Sequence, residues 1–172
     1  NNKVLFRQIN LQRSELATKN LANCLINWST SPFFVFVQEP WTPRRKIMSF
    51  PMGSQVFCGE NPRAAIITTK EMKTWPMPEF TTRDLATCLW KSDNGEFPEI
   101  VLVSYYADIE NDPICVELNS LMRFCNGRGL PVIICADSNA HSEAWGCPNN
   151  NTRGDTYQEF ISVNTLGILN RG

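Results

Sequence analysis

The run Phe33-Phe34-Val35-Phe36-Val37 constrains this chain more than any other segment. It is reached through Pro32 and left through Gln38-Glu39-Pro40. Alternating apolar and polar residues would mark a strand with one wet face; an unbroken β-favouring run marks a strand covered on both. Residues 132–136 repeat the pattern and end at Asp137-Ser138-Asn139. Around these two strands the chain reads in order. Residues 4–9 predict a strand, followed directly by Asn10. Apolar positions 17, 21, 24, 25 and 28 recur at helical spacing, and Pro32 ends that helix. A Pro- and Gly-rich stretch carries Arg44-Arg45-Lys46. Short strands are expected at Ala64–Thr69, Leu85–Trp90 and Ile100–Tyr106. Asp112 then Pro113 predicts a helix start, with positions 114, 118, 121, 122 and 125 inward and Gly127 and Gly129 at its close. Tyr157, Phe160 and Ile161 mark a third helix, and residues 166–169 begin a further strand. The order β-α-β-β-β-β-α-β-α-β excludes strict Rossmann alternation and fits an α/β fold with a mixed sheet and helical layers.

With 172 residues and 42% hydrophobic content, one packed core and one domain spanning 1–172 are expected. Sixteen basic against seventeen acidic side chains leave a formal charge of −1, which excludes a histone-like binder. Any nucleic-acid contact must then come from a local patch. The longest apolar run, 33–37, is far too short to span a bilayer, so no membrane role is expected. Seven cysteines, no two of them two or three residues apart, and a single histidine, His141, support neither a Cys/His zinc site nor a disulfide framework. Most of them lie in apolar stretches as buried reduced thiols do, which points to the cytosol or nucleus. The two glycosylation patterns, at Asn27 and Asn150, are read as chance. A start at Asn1 rather than methionine leads us to expect a piece of something longer.

Polar residues able to touch a metal or a phosphate close four of the expected strands: Asn10, Glu39, Tyr106, and the Asp137/Asn139 pair. Strand ends sharing one rim of an α/β sheet are where ligands bind. Asp137 and Asn139, two apart, face the same side if the extended geometry continues. A carboxylate such as Glu39 suits a hard cation like Mg²⁺. The competing reading of each is a turn former, cap or loop carboxylate.

Gln8-Ile9-Asn10-Leu11, Val37-Gln38-Glu39-Pro40-Trp41, Ser104-Tyr105-Tyr106-Ala107 and Ala136-Asp137-Ser138-Asn139-Ala140-His141-Ser142 together resemble the apurinic-endonuclease-like domain of LINE-type (non-LTR) retrotransposons. Trp145-Gly146, Thr152-Arg153-Gly154 and Leu166-Gly167-Ile168-Leu169-Asn170 resemble the arthropod elements that insert at defined sites. The resemblance implies the four-layered α/β sandwich of the DNase I-like endonuclease/exonuclease/phosphatase superfamily. It implies Glu39 as principal metal ligand, with Asn10 beside it on metal or scissile phosphate. It also implies Tyr106 as a phosphate contact, with Tyr105 pointing the opposite way. Asp137 and Asn139 become the pair that positions the attacking water. The cofactor implied is Mg²⁺ or Mn²⁺. The family also supplies a later aspartate and a Ser-Asp-His segment. Neither occurs before Gly172, so the C-terminal strands are expected to lie beyond this chain, and the chain alone is expected to be inactive or nearly so.

Arg13, Arg44, Arg45, Lys46, Arg63 and Arg153 are expected near the rim as phosphate contacts, Arg44-Arg45-Lys46 being the best patch, with His141 on a flanking loop. Trp41 and Trp145 are candidates to stack on bases. The expected function is a nuclear, metal-dependent endonuclease that nicks double-stranded target DNA, so that the reverse transcriptase part of the same polyprotein is primed there. Two alternatives remain: a phosphoesterase of the same superfamily acting on small phosphoesters, and a non-catalytic DNA- or protein-binding module.

Overall fold

The structure is a computed structural model and describes residues 3–28, 31–48, 50, 51, 53–92, 95 and 98–170. Ser29, the third residue of the first glycosylation pattern, lies outside them. In chain order the elements are β1 (Leu5–Asn10), α1 (Glu15–Trp28), β2 (Phe33–Gln38), β3 (Ser54–Phe57), β4 (Ala64–Thr69), β5 (Thr74–Pro76), β6 (Leu85–Trp90), β7 (Ile100–Tyr106), α2 (Val116–Arg128), β8 (Val132–Asp137) and α3 (Thr152–Val163). Short 3-10 turns occupy Pro43–Arg45 and Glu143–Trp145.

The strands form two four-stranded sheets, ordered β1-β2-β4-β3 and β5-β6-β7-β8. Among the described residues only two pairs are parallel, β1 with β2 and β7 with β8. Parallel neighbours need a crossover, and α1 and α2 supply one each. Side-chain alternation along β2 explains its unbroken apolar run. Phe34 and Phe36 pack between the sheets with Ile66, Cys88, Trp90 and Leu102. Phe33, Val35 and Val37 point outward onto Leu21 and Leu25 of α1. On the far side Val101, Val103 and Tyr105 of β7 pack against Leu118, Leu121 and Met122 of α2 and Tyr157 and Phe160 of α3. The layers run helix, sheet, sheet, helix, the four-layered α/β sandwich expected.

Local departures have local causes. Helix α2 begins at Val116, not at Pro113. The Pro113 carbonyl accepts hydrogen bonds from the Tyr105 and Tyr157 hydroxyls at 3.0 and 2.9 Å, so both its lone pairs serve as an anchor and not as the first helical acceptor. Ser14 caps α1, its Oγ accepting from the Ala17 N–H at 3.2 Å. The buried stripe of α1 is Thr18, Leu21, Ala22 and Leu25, while Cys24 is exposed. Strands β3 and β5 went unforeseen because each is a short edge strand; β5 contains Pro76, which cannot donate to a ladder. Residues 166–170 form no strand: Leu166 packs onto the α2/α3 core and Leu169 is exposed.

Candidate active site

Strands β1, β2, β7 and β8 end on the same side of the molecule. Asn10 lies opposite Gln38 in one sheet and Tyr106 opposite Asp137 in the other. The Asn10 amide joins them: its Nδ2 donates to Asp137 Oδ2 at 2.5 Å and to Glu39 Oε2 at 3.4 Å. One donor thus holds a carboxylate from each sheet. Its Oδ1 is turned away and accepts from the Gln12 N–H at 2.7 Å. Asn10 thus turns its amide N–H groups to the two carboxylates and its oxygen to the segment that follows. Glu39 is held from three directions, by Asn10, by Arg13 Nε on its Oε1 at 2.9 Å, and by its own N–H on the Arg63 carbonyl at 2.7 Å. Tyr105 is buried and points into the α2/α3 core while Tyr106 stays half-buried on the other face, as expected from their alternation.

Of the five strand-end residues, two adopt positive φ without being glycine, Glu39 at 48° and Asn139 at 47°. Left-handed backbone at such positions costs on the order of 1 kcal/mol and persists only where the surroundings dictate it. At Asn139 it ends the extended geometry, so the expected same-side placement does not follow from a continuing strand. Instead Asn139 Nδ2 donates to the Ala107 carbonyl at 3.0 Å, and its N–H points to Asp137 Oδ1 at 3.4 Å.

Beneath the rim lies a residue that sequence reasoning passed over. Gln38 is fully buried, and its Nε2 crosses between the sheets to Ser104 Oγ at 2.9 Å and the Cys135 carbonyl at 3.1 Å. Its Oε1 accepts from Gln8 Nε2 at 3.2 Å, and the Ser104 hydroxyl donates back to the Val37 carbonyl at 3.0 Å. The available signal was a polar side chain closing an otherwise apolar strand just before Glu39.

The basic residues expected on DNA divide into two groups. Arg13, Arg44, Arg45, Lys46 and His141 are exposed. His141 Nδ1 lies 3.2 Å from Asn149 Oδ1. Arg63 and Arg153 depart from expectation. Arg63 is tied by Nε and Nη2 to both oxygens of Asp84, each at 2.5 Å, and by Nη1 to Asp108 at 2.6 Å. Those bonds, Asp84 foremost, outweigh the cost of burial and push the guanidinium pKa up; the bond from Arg63 holds the Asp108 carboxyl below its ordinary value. The guanidinium also lies 4.9 Å from the Tyr106 ring centre. Burial first, then the Glu39 charge, raises the Tyr106 phenol, which stays a hydroxyl donor at neutral pH. Arg153 Nη1 and Nη2 donate to backbone carbonyls and not to solvent. Trp145 donates to the Ala140 carbonyl at 3.2 Å and packs on the core, and Trp41 is half-buried beside Lys19.

Among the described residues no group of three or more His, Cys, Asp or Glu side chains could hold a metal ion. The rim offers two converging carboxylates. A hollow of about 450 Å³ opens elsewhere, between the segment before α2 and the outer side of α3, lined by Ile114, Glu159 and Phe160 among others. None of the strand-end residues reaches it. No helix is long and apolar enough to cross a membrane among the described residues.

Residues 100–172 match the family model described as endonuclease-reverse transcriptase. No curated protein matches the chain in sequence. Among solved structures it is similar to the endonuclease domain of TRAS1, a telomere-specific non-LTR retrotransposon. The two share 28% identity with a TM-score of 0.76, over 96% of this chain and 72% of that one. A sandwich that brings carboxylates from both sheets to one rim goes with these two likenesses: over residues 100–172 the chain is similar to the endonuclease–reverse transcriptase family, and over nearly its whole length to the endonuclease domain of a non-LTR retrotransposon.

Proposed function

We propose that the strand-end rim is a metal-dependent phosphodiesterase site that nicks one strand of duplex DNA. The single observation that carries this is the convergence of Glu39 and Asp137, from different sheets, on one amide donor, Asn10. Two carboxylates in reach of one another make a hard oxygen site of the kind Mg²⁺ or Mn²⁺ takes, and Mg²⁺ commonly keeps several waters and needs only one or two protein carboxylates. Glu39 would hold the ion, with Asp137 close by. When bound, it supplies charge to offset that building on the phosphate oxygens.

The chain's own groups do the rest by placement. Asn10 Nδ2, donating to both Glu39 and Asp137, sets the two carboxylates relative to one another, and the Tyr106 hydroxyl is the donor suited to a non-bridging phosphate oxygen. Asp137 accepts the proton of an attacking water, and Asn139 holds the turn that presents it. Arg13, Arg44, Arg45, Lys46 and His141 are read as the contacts to the DNA backbone on either side. Residues 1–172 are read as one domain, acting in the nucleus beside the reverse transcriptase part of a polyprotein, whose synthesis starts at the nick.

Conversion of supercoiled plasmid to the open circle tests this directly, in this chain and in one carried past Gly172. The reading expects Mg²⁺-dependent nicking, stronger in the longer chain, and lost in Glu39→Gln and Asp137→Asn. Duplex binding without nicking in either chain would favour a non-catalytic module. Nicking indifferent to both substitutions would move the chemistry elsewhere.

A further inference from the structure

Arg153 is the second residue of α3, expected from its loop-side position to meet DNA, yet its guanidinium faces inward. Nη2 donates to the carbonyls of Ala107 and Asp108, both at 3.2 Å, and more distantly to Ser138 at 3.5 Å. Nη1 donates to Asn111 at 2.8 Å and to Ile109 at 3.5 Å. Nε is buried without a partner. These carbonyls belong to the two chain segments that leave β7 and β8. Ala107 follows Tyr106, and Ser138 stands between Asp137 and Asn139.

The same carbonyl of Ala107 also receives Asn139 Nδ2. The Ala107 N–H donates to the Asp137 carbonyl at 2.9 Å, and the Asp108 side chain holds Arg63, whose guanidinium lies by the Tyr106 ring. A charged fork that gathers carbonyls from both segments fixes their spacing more tightly than neutral contacts would. We infer that Arg153 is a positioning residue for the nicking reaction: it clamps the β7 and β8 exits onto α3 and so sets Tyr106 and Asn139 relative to Asp137. This rests on the endonuclease reading above, and it takes Arg153 out of the DNA-contacting set.

The two roles part in measurement. A phosphate contact, when removed, weakens duplex binding and lowers the slope of log K against log salt by about one. A positioning residue lowers the nicking rate at saturating DNA and leaves binding and slope alone. The test uses Arg153→Lys and Arg153→Ala in the chain that nicks, with duplex affinity measured across a KCl series. Single-turnover nicking at saturating DNA and Mg²⁺, and hydrogen exchange over 107–111 and 138–142, complete it. We expect about a tenfold or greater loss of rate in Arg153→Ala and affinity within about twofold of the parent. Part of the rate should return in Arg153→Lys, or on adding guanidinium well below denaturing concentrations. Exchange should quicken at 107–111 and 138–142 and hold steady in β2 and β4. A salt slope lowered by one, or an unchanged saturated rate with unchanged exchange, overturns the inference. If the parent binds but never nicks, the endonuclease reading fails, and the exchange measurement still decides whether Arg153 clamps the two segments.

Discussion

Replacing Gly154 by alanine gives a prediction whose sign is set by the structure. Gly154 is the third residue of α3, and for a helical glycine the general expectation is a gain of up to about 1 kcal/mol on going to alanine. Here an added Cβ would sit 1.9 Å from the His141 carbonyl oxygen and 2.8 Å from its carbon. A comfortable carbon–oxygen contact is about 3.3 Å, so the His141 backbone must retreat by more than an ångström. That peptide is tied on both sides to Asn151: the Asn151 N–H donates to the His141 carbonyl at 3.1 Å, and the His141 N–H to Asn151 Oδ1 at 3.0 Å. The same Oδ1 caps Gly154 itself at 2.8 Å. Overpacking costs about 1–3 kcal/mol, and each strained hydrogen bond roughly 0.5–1.5 kcal/mol. Against the propensity gain, the net is a loss of about 2–4 kcal/mol. For a chain of this size that lowers Tm by roughly 5–15 °C. Thermal and urea unfolding followed by circular dichroism measure it, and hydrogen exchange at 138–142 locates it. A variant as stable as the parent, or more so, would refute the close approach of the 138–142 segment to α3.

Three further outcomes are expected. Gln38→Leu removes the two side-chain hydrogen bonds that cross between the sheets, costing about 1–3 kcal/mol in urea unfolding; a neutral effect would mean the crossing bonds contribute nothing. Because Arg63 holds the Asp108 carboxyl low, that pair contributes stability above the ordinary carboxylate pKa of about 3.9, lost as pH falls through the lowered native value. Unfolding between about pH 2 and 5 should therefore be less pH-dependent in Asp108→Asn than in the parent, and equal slopes would contradict this. Among the thiols, exposed Cys24 should be alkylated first, and buried Cys88 and Cys125 only on unfolding, burial having pushed Cys125 up to about 11; mass spectrometry of partly alkylated protein reads the order.

What the sequence revealed follows from how far apart the cooperating residues lie. Periodicity is local, so the strands at 33–37, Ala64–Thr69 and Leu85–Trp90 and the inward stripe of α2 are legible. Short edge strands carry too few residues for a period, and β3 and β5 leave no such signal. The rim residues could be picked out because each follows an apolar run, and Asn10, Glu39 and Asp137 do meet. The fates of Arg63 and Arg153 could not be read: their partners lie 21 and 45 residues off for Arg63, and up to 46 for Arg153. Only folding decides whether a cation in a loop finds solvent, a carboxylate or a row of carbonyls. Gln38 is similar, because its partners depend on how one sheet is stacked on the other.

Gln38 also bears on how such a domain can change over time. By pinning β2 to β7 and β8 one residue below Glu39, it makes the reactive geometry a property of the stacked sheets and not of the surface segments. The exposed residues at 44–46 and 148–150 lie outside that frame. They are free to lengthen, shorten or trade residues, altering which duplex is gripped, while the cutting machinery keeps its shape.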